Sequence, residues 1–257
     1  MIEAAGGRVG RKKATKKKVT RKKVTRKTAT PKAVTPADVT RWLERAGSKK
    51  GIADLDRYGI TAHRPFGVGV GELRKYAKEI GTSHSLAQEL WALGRYEARL
   101  LACFVDEPER VTNRQMNAWA DDFDNWAIVD TACFSLFDQT PTRWSRVGVW
   151  AKARPEFKKR AAFALIWSLS VHDKEADDAA FLDALEWIAR GAADDRHWVK
   201  KAVNMALRAV GKRNRALNRA AIELAAELAA SDEAAPRWIG SHARRELESA
   251  AVQKKLR

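Results

Sequence analysis

The chain has 257 residues, 45 % of them hydrophobic and 32 % charged, with a net charge of +17. That is enough for a substantial core in one large domain or two small ones, and a mix rich in Ala, Leu, Glu, Lys and Arg favours helix. No apolar run approaches the ~18 residues needed to span a membrane. Cys103 and Cys133 sit in apolar runs without metal-ligand spacing, and His63, His84, His172, His197 and His242 form no His-x-x-x-His pair. A reducing compartment with buried thiols is therefore expected, and a zinc enzyme is not.

The charge is unevenly placed. Residues 1–36 hold thirteen Lys/Arg and one Glu, whereas the remainder carries 36 Lys/Arg against 31 Asp/Glu. From Arg11 a five-residue unit recurs (RKKAT, KKKVT, RKKVT, RKTAT, PKAVT), ending in Thr15, Thr20, Thr25, Thr30 and Thr35. It offers no aromatic or leucine to bury, so 1–36 reads as a disordered basic tail without the apolar stretch of a secretory signal. Similar lysine-rich tails occur on histone-type and nucleoid proteins. Each phosphate the tail neutralised would add about 0.9 to the salt slope of duplex binding; a merely solubilising extension is the alternative.

Residues 37–257 read as a helical domain. Thr35 or Thr40 caps a first helix through Trp42 and Leu43. Helical periodicity then marks 70–80, 85–93, 96–105, 114–121, 126–137, 142–153, 156–170, 180–190, 197–211, 216–230 and 236–249. No alternating strand pattern occurs. The Gly-rich stretch His63–Gly69 has the spacing of neither a phosphate loop nor a dinucleotide turn. The architecture is all-α.

The helix beginning at Trp126 is unusual. Asp124 or Asn125 caps it, and Trp126, Val129, Cys133 and Phe134 are read as its inward side. Asp130 leaves the helix on the same face as Trp126, four residues earlier. An acid there needs a partner or a use. Aligning helices on Tyr96, Trp126, Phe157, Trp198 and Trp238 gives spacings of 30, 31, 41 and 40 residues. That period is the signature of a HEAT-like solenoid, whose concave face suits long ligands. Four positions after each anchor come Leu100, Asp130, Ala161, Ala202 and His242, so Asp130 replaces the Leu or Ala of three sister helices.

Several elements occur in order on this background: Leu90-Trp91 with Tyr96-Glu97-Ala98-Arg99, Asn125-Trp126 with Asp130, Lys159-Arg160-Ala161, and Val203-Asn204-Met205-Ala206-Leu207-Arg208. In these the chain resembles the DNA alkylation repair family of HEAT-like glycosylases, from about Phe66 to the C-terminus; the tail lies outside the resemblance. The resemblance implies release of cationic alkylpurines such as 3-methyladenine and 7-methylguanine from double-stranded DNA. It makes Asp130 the catalytic carboxylate, Trp126 its aromatic neighbour and Arg160 an arginine that positions the backbone near the lesion. Family members are expected to carry a second tryptophan in Gly-Trp-Ala-Leu-Arg; here the run is Asn204-Met205-Ala206-Leu207-Arg208, and Met205 offers soft apolar contact without an indole face.

The chemistry such a reaction needs is modest. A purine alkylated at N3 or N7 is already a good leaving group, so one carboxylate close to the oxocarbenium-like sugar suffices, without metal or cofactor. An indole face would add about 0.5–2 kcal/mol against the cationic sugar. Arg160, with Lys158 and Lys159, is expected to grip phosphates and hold the acid ionised. Met205, Lys200, Lys201, Arg208, Lys212 and Arg213 complete the expected DNA contacts along one concave strip. The plainer alternatives are an Asp130 that is a structural carboxylate paired with Arg160 or another repeat's basic residue, a Trp126 that packs the core, a Met205 that fills it, and a Glu97 and Arg99 that simply pair within or between helices. At the level of function the alternatives are a non-catalytic solenoid that binds bent or branched DNA through its phosphates, and a protein scaffold. The expected setting is the cytoplasm at the nucleoid, as a monomer with no membrane association.

Overall fold

The computed structural model describes residues 34–256. The pentad repeat, and with it the expectation of a disordered tail, lies almost wholly outside them. Among the described residues the chain is all helix and short connections, with no strand.

The N-terminal helices are α1 (Pro36–Ala46), α2 (Lys49–Arg57), α3 (Val70–Ile80), α4 (His84–Ala92) and α5 (Tyr96–Val105). Then come α6 (Asn113–Asp121), α7 (Trp126–Ser135), α8 (Val147–Ala151), α9 (Glu156–His172) and α10 (Asp178–Gly191). The C-terminal set is α11 (His197–Val210), α12 (Arg215–Ala229), α13 (Ala234–Leu247) and α14 (Ala250–Gln253). Side-chain caps start many of them. Thr35, not Thr40, caps α1 in a reciprocal capping box with Asp38, and Ser83, Thr112, Asn125, Asp177 and Asn214 cap α4, α6, α7, α10 and α12.

Helices α5, α7, α9, α11 and α13 stack side by side, each packed on the next. A second layer backs them, with α4 on α5, α8 on α9, α10 on α11 and α12 on α13. The aromatic anchors Tyr96, Trp126, Phe157, Trp198 and Trp238 all fall near the starts of first-layer helices. The two-layer stack is thus a HEAT-like superhelix whose repeat was visible in the aromatic spacing. Helix α9 lies at its centre. It buries an unbroken run from Arg160 to Ile166 because α7, α8 and α11 cover it on several sides.

Three expectations are corrected. The segment 142–153 is not one helix but a 3-10 turn, Arg143–Arg146, followed by the short α8. The helix from Trp126 ends at Ser135, and Phe137–Gln139 forms a 3-10 turn. Helix α2, absent from the periodicity, buries none of its residues. It is held by backbone approach instead: a side chain at Gly51 or Gly67 would run into the other segment's backbone, and Gly67 has φ 79°.

Candidate functional site

Asn125 settles the start of α7. Its side-chain oxygen accepts the Ile128 N–H at 3.0 Å, while Asp124 accepts from the Asn125 amide at 2.7 Å. From that start, Ala127, Ile128, Val129, Ala132 and Cys133 are buried. Trp126, Asp130 and Phe134, spaced by four, form a separate stripe along a cleft of about 580 Å3. Asp130 therefore stands on a cleft face and not among the inward residues Val129 and Cys133. Tyr58, Ile60, Tyr96 and Trp167 close the cleft from other elements. Its wall is mostly aromatic and aliphatic, with Asp130 the acid in it and Arg74 a cation on the same cleft. A cleft of this size and make-up, mostly apolar with few polar groups, is the usual form of a small-ligand site.

The partner of Asp130 is Arg160. Its Nη2 donates to both carboxylate oxygens at 2.8 and 2.7 Å, and its Nε donates to Oδ1 at 3.1 Å. The remaining terminal nitrogen, Nη1, donates to the Trp198 carbonyl at 2.9 Å. The guanidinium side chain is 3 % exposed and the acid 19 %. The cation is thus hidden behind the carboxylate, and the carboxylate is what faces the cleft. Burial raises the Asp130 pKa above its ordinary value, opposed by the charge and hydrogen bonds of Arg160.

Trp126 is fixed on two sides. Its indole N–H donates to the Tyr58 carbonyl at 3.2 Å, and its ring stacks on Trp198 at 6.0 Å between centroids and 27° between planes. The Arg160 grip on the Trp198 carbonyl links this aromatic pair to the acid. Trp126 and the Asp130–Arg160 pair are therefore both anchored on Trp198 of α11.

The expected basic contacts divide by geometry. The expectation that Arg160 grips phosphates is corrected, because burial and its bonds to Asp130 and Trp198 leave it no free fork. Lys158 pairs with Asp121, and Lys159 pairs with Asp194 at 2.9 Å; both are largely buried. Arg213 is a staple: it donates to the Ser170 carbonyl at 2.9 Å and lies 3.8 Å over the Phe181 ring. Arg208 and Lys212 share Glu246. Yet Arg208, Lys212 and Arg213 line a second cleft of about 580 Å3 with Met205, Lys174 and Trp167. Lys200 and Lys201 sit 5.5 and 5.8 Å from the Trp238 ring, further along the stack.

Two features escaped the sequence reading. Arg99 does pair between elements, with Asp122 and Asp124 at 3.7 and 3.6 Å, but Glu97 pairs with no side chain: it is fully buried and accepts the backbone N–H groups of Phe66, Gly67 and Val68 at 2.6–3.3 Å. It thereby pins the Gly-rich loop on α5, next to the Tyr58–Ile60 wall of the cleft. Tyr96, another wall residue, has its phenol pKa pushed up by burial and then by the Glu97 and Asp124 carboxylates, so it stays neutral.

The two-layer stack of helix pairs has the fold of the HEAT-like repeat DNA glycosylases. The chain belongs to the DNA alkylation repair enzyme family, whose model matches residues 39–247. Among solved structures it is similar to one from "a new family of proteins related to the HEAT-like repeat DNA glycosylases with affinity for branched DNA structures". The TM-score is 0.69 at 22 % identity, over 83 % of this chain and 95 % of that one, a likeness of fold. No curated protein matches the chain. No helix among the described residues is long and apolar enough to cross a membrane.

Proposed function

We propose that the protein is a monofunctional DNA glycosylase that hydrolyses the N-glycosidic bond of cationic alkylated purines in duplex DNA, 3-methyladenine and 7-methylguanine among them. The observation that carries this reading is a carboxylate presented to an aromatic cleft by a buried, bidentate arginine. As the bond from C1′ to the purine nitrogen breaks, its electron pair neutralises the positive base, which leaves. The sugar becomes oxocarbenium-like, and Asp130, the acid of a largely apolar cleft, stabilises that charge. Water then adds to C1′ and gives up a proton, giving an abasic sugar. A carboxylate with a raised pKa is suited to accept that proton. Trp126 offers an indole face to the developing cation, worth about 0.5–2 kcal/mol. Arg160 acts through Asp130 and is a positioning residue.

In this reading the second cleft, with Lys174, Arg208 and Lys212, meets the DNA backbone beside the lesion, and Lys200 and Lys201 extend the contact. The enzyme works as a monomer without cofactor, on DNA of the cytoplasmic nucleoid. One observation favours a second reading, non-catalytic binding of branched DNA: Met205 stands where an indole is expected. The deciding experiment incubates the folded protein with methylated duplex and assays the free bases. Release of 7-methylguanine or 3-methyladenine above the spontaneous rate is expected. No release, together with tighter binding to a four-way junction than to duplex of equal length, overturns the glycosylase reading in favour of the second.

A further inference from the structure

Arg208 lies on α11 and Lys212 just past its end, four residues apart and so on one face. Both line the basic cleft, and both reach back to one carboxylate, that of Glu246 on α13. Glu246 itself lines a smaller cleft of about 330 Å3, which it shares with Lys212 and Lys255. Burial works to raise its pKa, but Lys212 and then Arg208 outweigh burial and hold it below the ordinary value, so it stays ionised. This bridge is unlike the one at Asp130. Arg160 is almost wholly buried and fully bonded, whereas Arg208 and Lys212 are 34 % and 42 % exposed. Arg208 is also short of acceptors: its Nη1 reaches Asn204 Oδ1 only at 3.4 Å, and its buried Nε meets none among the described residues. Partly exposed pairs of this kind are weak, and a phosphate can take their cations. Of the cations lining the basic cleft, Arg213 is stapled to backbone and two more are held by Glu246, which leaves Lys174. The free protein therefore presents much less positive charge there than its sequence carries.

We propose that Glu246 competes with DNA phosphates for Arg208 and Lys212: in the free protein it holds both cations back, and a phosphodiester entering the basic cleft displaces it. This rests on the reading that the basic cleft meets the DNA backbone, and not on the glycosylase chemistry. Lys255, on the same small cleft as Glu246, is the cation to which the displaced carboxylate turns. The exchange lowers affinity for every duplex alike, because it involves phosphates and no base. A weaker, sequence-independent hold leaves the protein free to move along undamaged DNA.

The test measures affinity of the full chain for one short unmodified duplex over a range of salt concentrations. Glu246→Gln, which removes the charge and nearly keeps the shape, should bind about 3–20-fold tighter than the wild type. Its thermal transition should fall slightly, since α11 and α13 lose a tie, so affinity and stability move in opposite directions. Glu248→Gln makes the same charge change two residues along the chain, where the partner is Arg244, and should stay within about 2-fold of the wild type. Arg208→Gln/Lys212→Gln should weaken binding and flatten the salt slope by up to about 1.8, two phosphates' worth. Adding Glu246→Gln to that pair should then change nothing, whereas simple repulsion between Glu246 and DNA would persist there. No gain in Glu246→Gln overturns the proposal, as does a gain that Glu248→Gln matches or that survives the loss of both cations. Affinity and salt slope unchanged in Arg208→Gln/Lys212→Gln defeat the reading of the cleft as a DNA contact, and the proposal with it.

Discussion

Two pairs of an acid with a basic side chain tie α9 to the α7 region, and they are built in opposite senses. At the start of α9, Arg160 is 3 % exposed and its partner Asp130 is 19 % exposed. Near the end, Asp138 is fully buried and its partner His172, 2.6 Å away, is 47 % exposed. In both, burial raises the carboxylate pKa and the hydrogen-bonded partner opposes it. The first pair turns the acid toward a cleft and hides the cation; the second hides the acid and leaves the imidazole at the surface. Equal chemistry gives unequal roles. A carboxylate can act on a ligand only where its own oxygens reach the cleft, so Asp130 is the working acid and Asp138 a structural one.

The comparison can be broken most severely at Arg160. Arg160→Met strips a partly buried carboxylate of its partner, and removing one member of such a pair destabilises by about 3 kcal/mol, the lower end of the usual range because Asp130 is not wholly enclosed. Thermal denaturation should show a loss of roughly 6–12 °C for a domain of this size. Asp130→Asn/Arg160→Met should recover part of it, whereas additive losses would contradict the pairing. Without Arg160 to oppose burial, the Asp130 pKa rises further, so the acid limb of base release should move to higher pH in Arg160→Met. A smaller effect is expected at Asp194, an acid clustered with Lys159 and Arg196 at the starts of α9 and α11. Hydrogen bonding from Arg196, with further help from Lys159, lowers its pKa from 3.8 to about 2. A lowered folded-state value contributes stability that is present above pH 3.8 and lost as pH falls toward about 2. After screening this amounts to about 1 kcal/mol. Acid denaturation followed by circular dichroism should be flatter between those pH values in Asp194→Ala; an identical acid limb would contradict the assignment.

The sequence displays these features unequally. First-layer helices announce themselves because each carries an aromatic near its start and apolar residues at helical spacing, and the repeat of those aromatics reveals the solenoid. Asp130 stands out because it breaks a register that its sister helices fill with Leu or Ala. Its pairing with Arg160 is legible as an alternative, but not its geometry: that this guanidinium is almost wholly buried behind the carboxylate depends on packing between repeats thirty residues apart. Glu97 is hidden for the same reason, since its partners are backbone N–H groups of a loop with no charged signature. Helix α2 leaves no periodic trace because it buries nothing. Trp167 is masked in a run, Leu165-Ile166-Trp167, that reads as core; only the way α7 and α11 flank α9 leaves its ring at the meeting of two clefts.

The central claim is that the acid facing the cleft, and not its buried counterpart, carries the chemistry. The most direct measurement is the single-turnover rate of 7-methylguanine release from methylated duplex by the wild type, Asp130→Asn and Asp138→Asn, each shown to be folded. Asp130→Asn should fall by about 10²–10⁴-fold. Asp138→Asn, whose burial already favours the uncharged form, should stay within a few-fold of the wild type. Release undiminished in Asp130→Asn, or lost equally in both, would contradict the account.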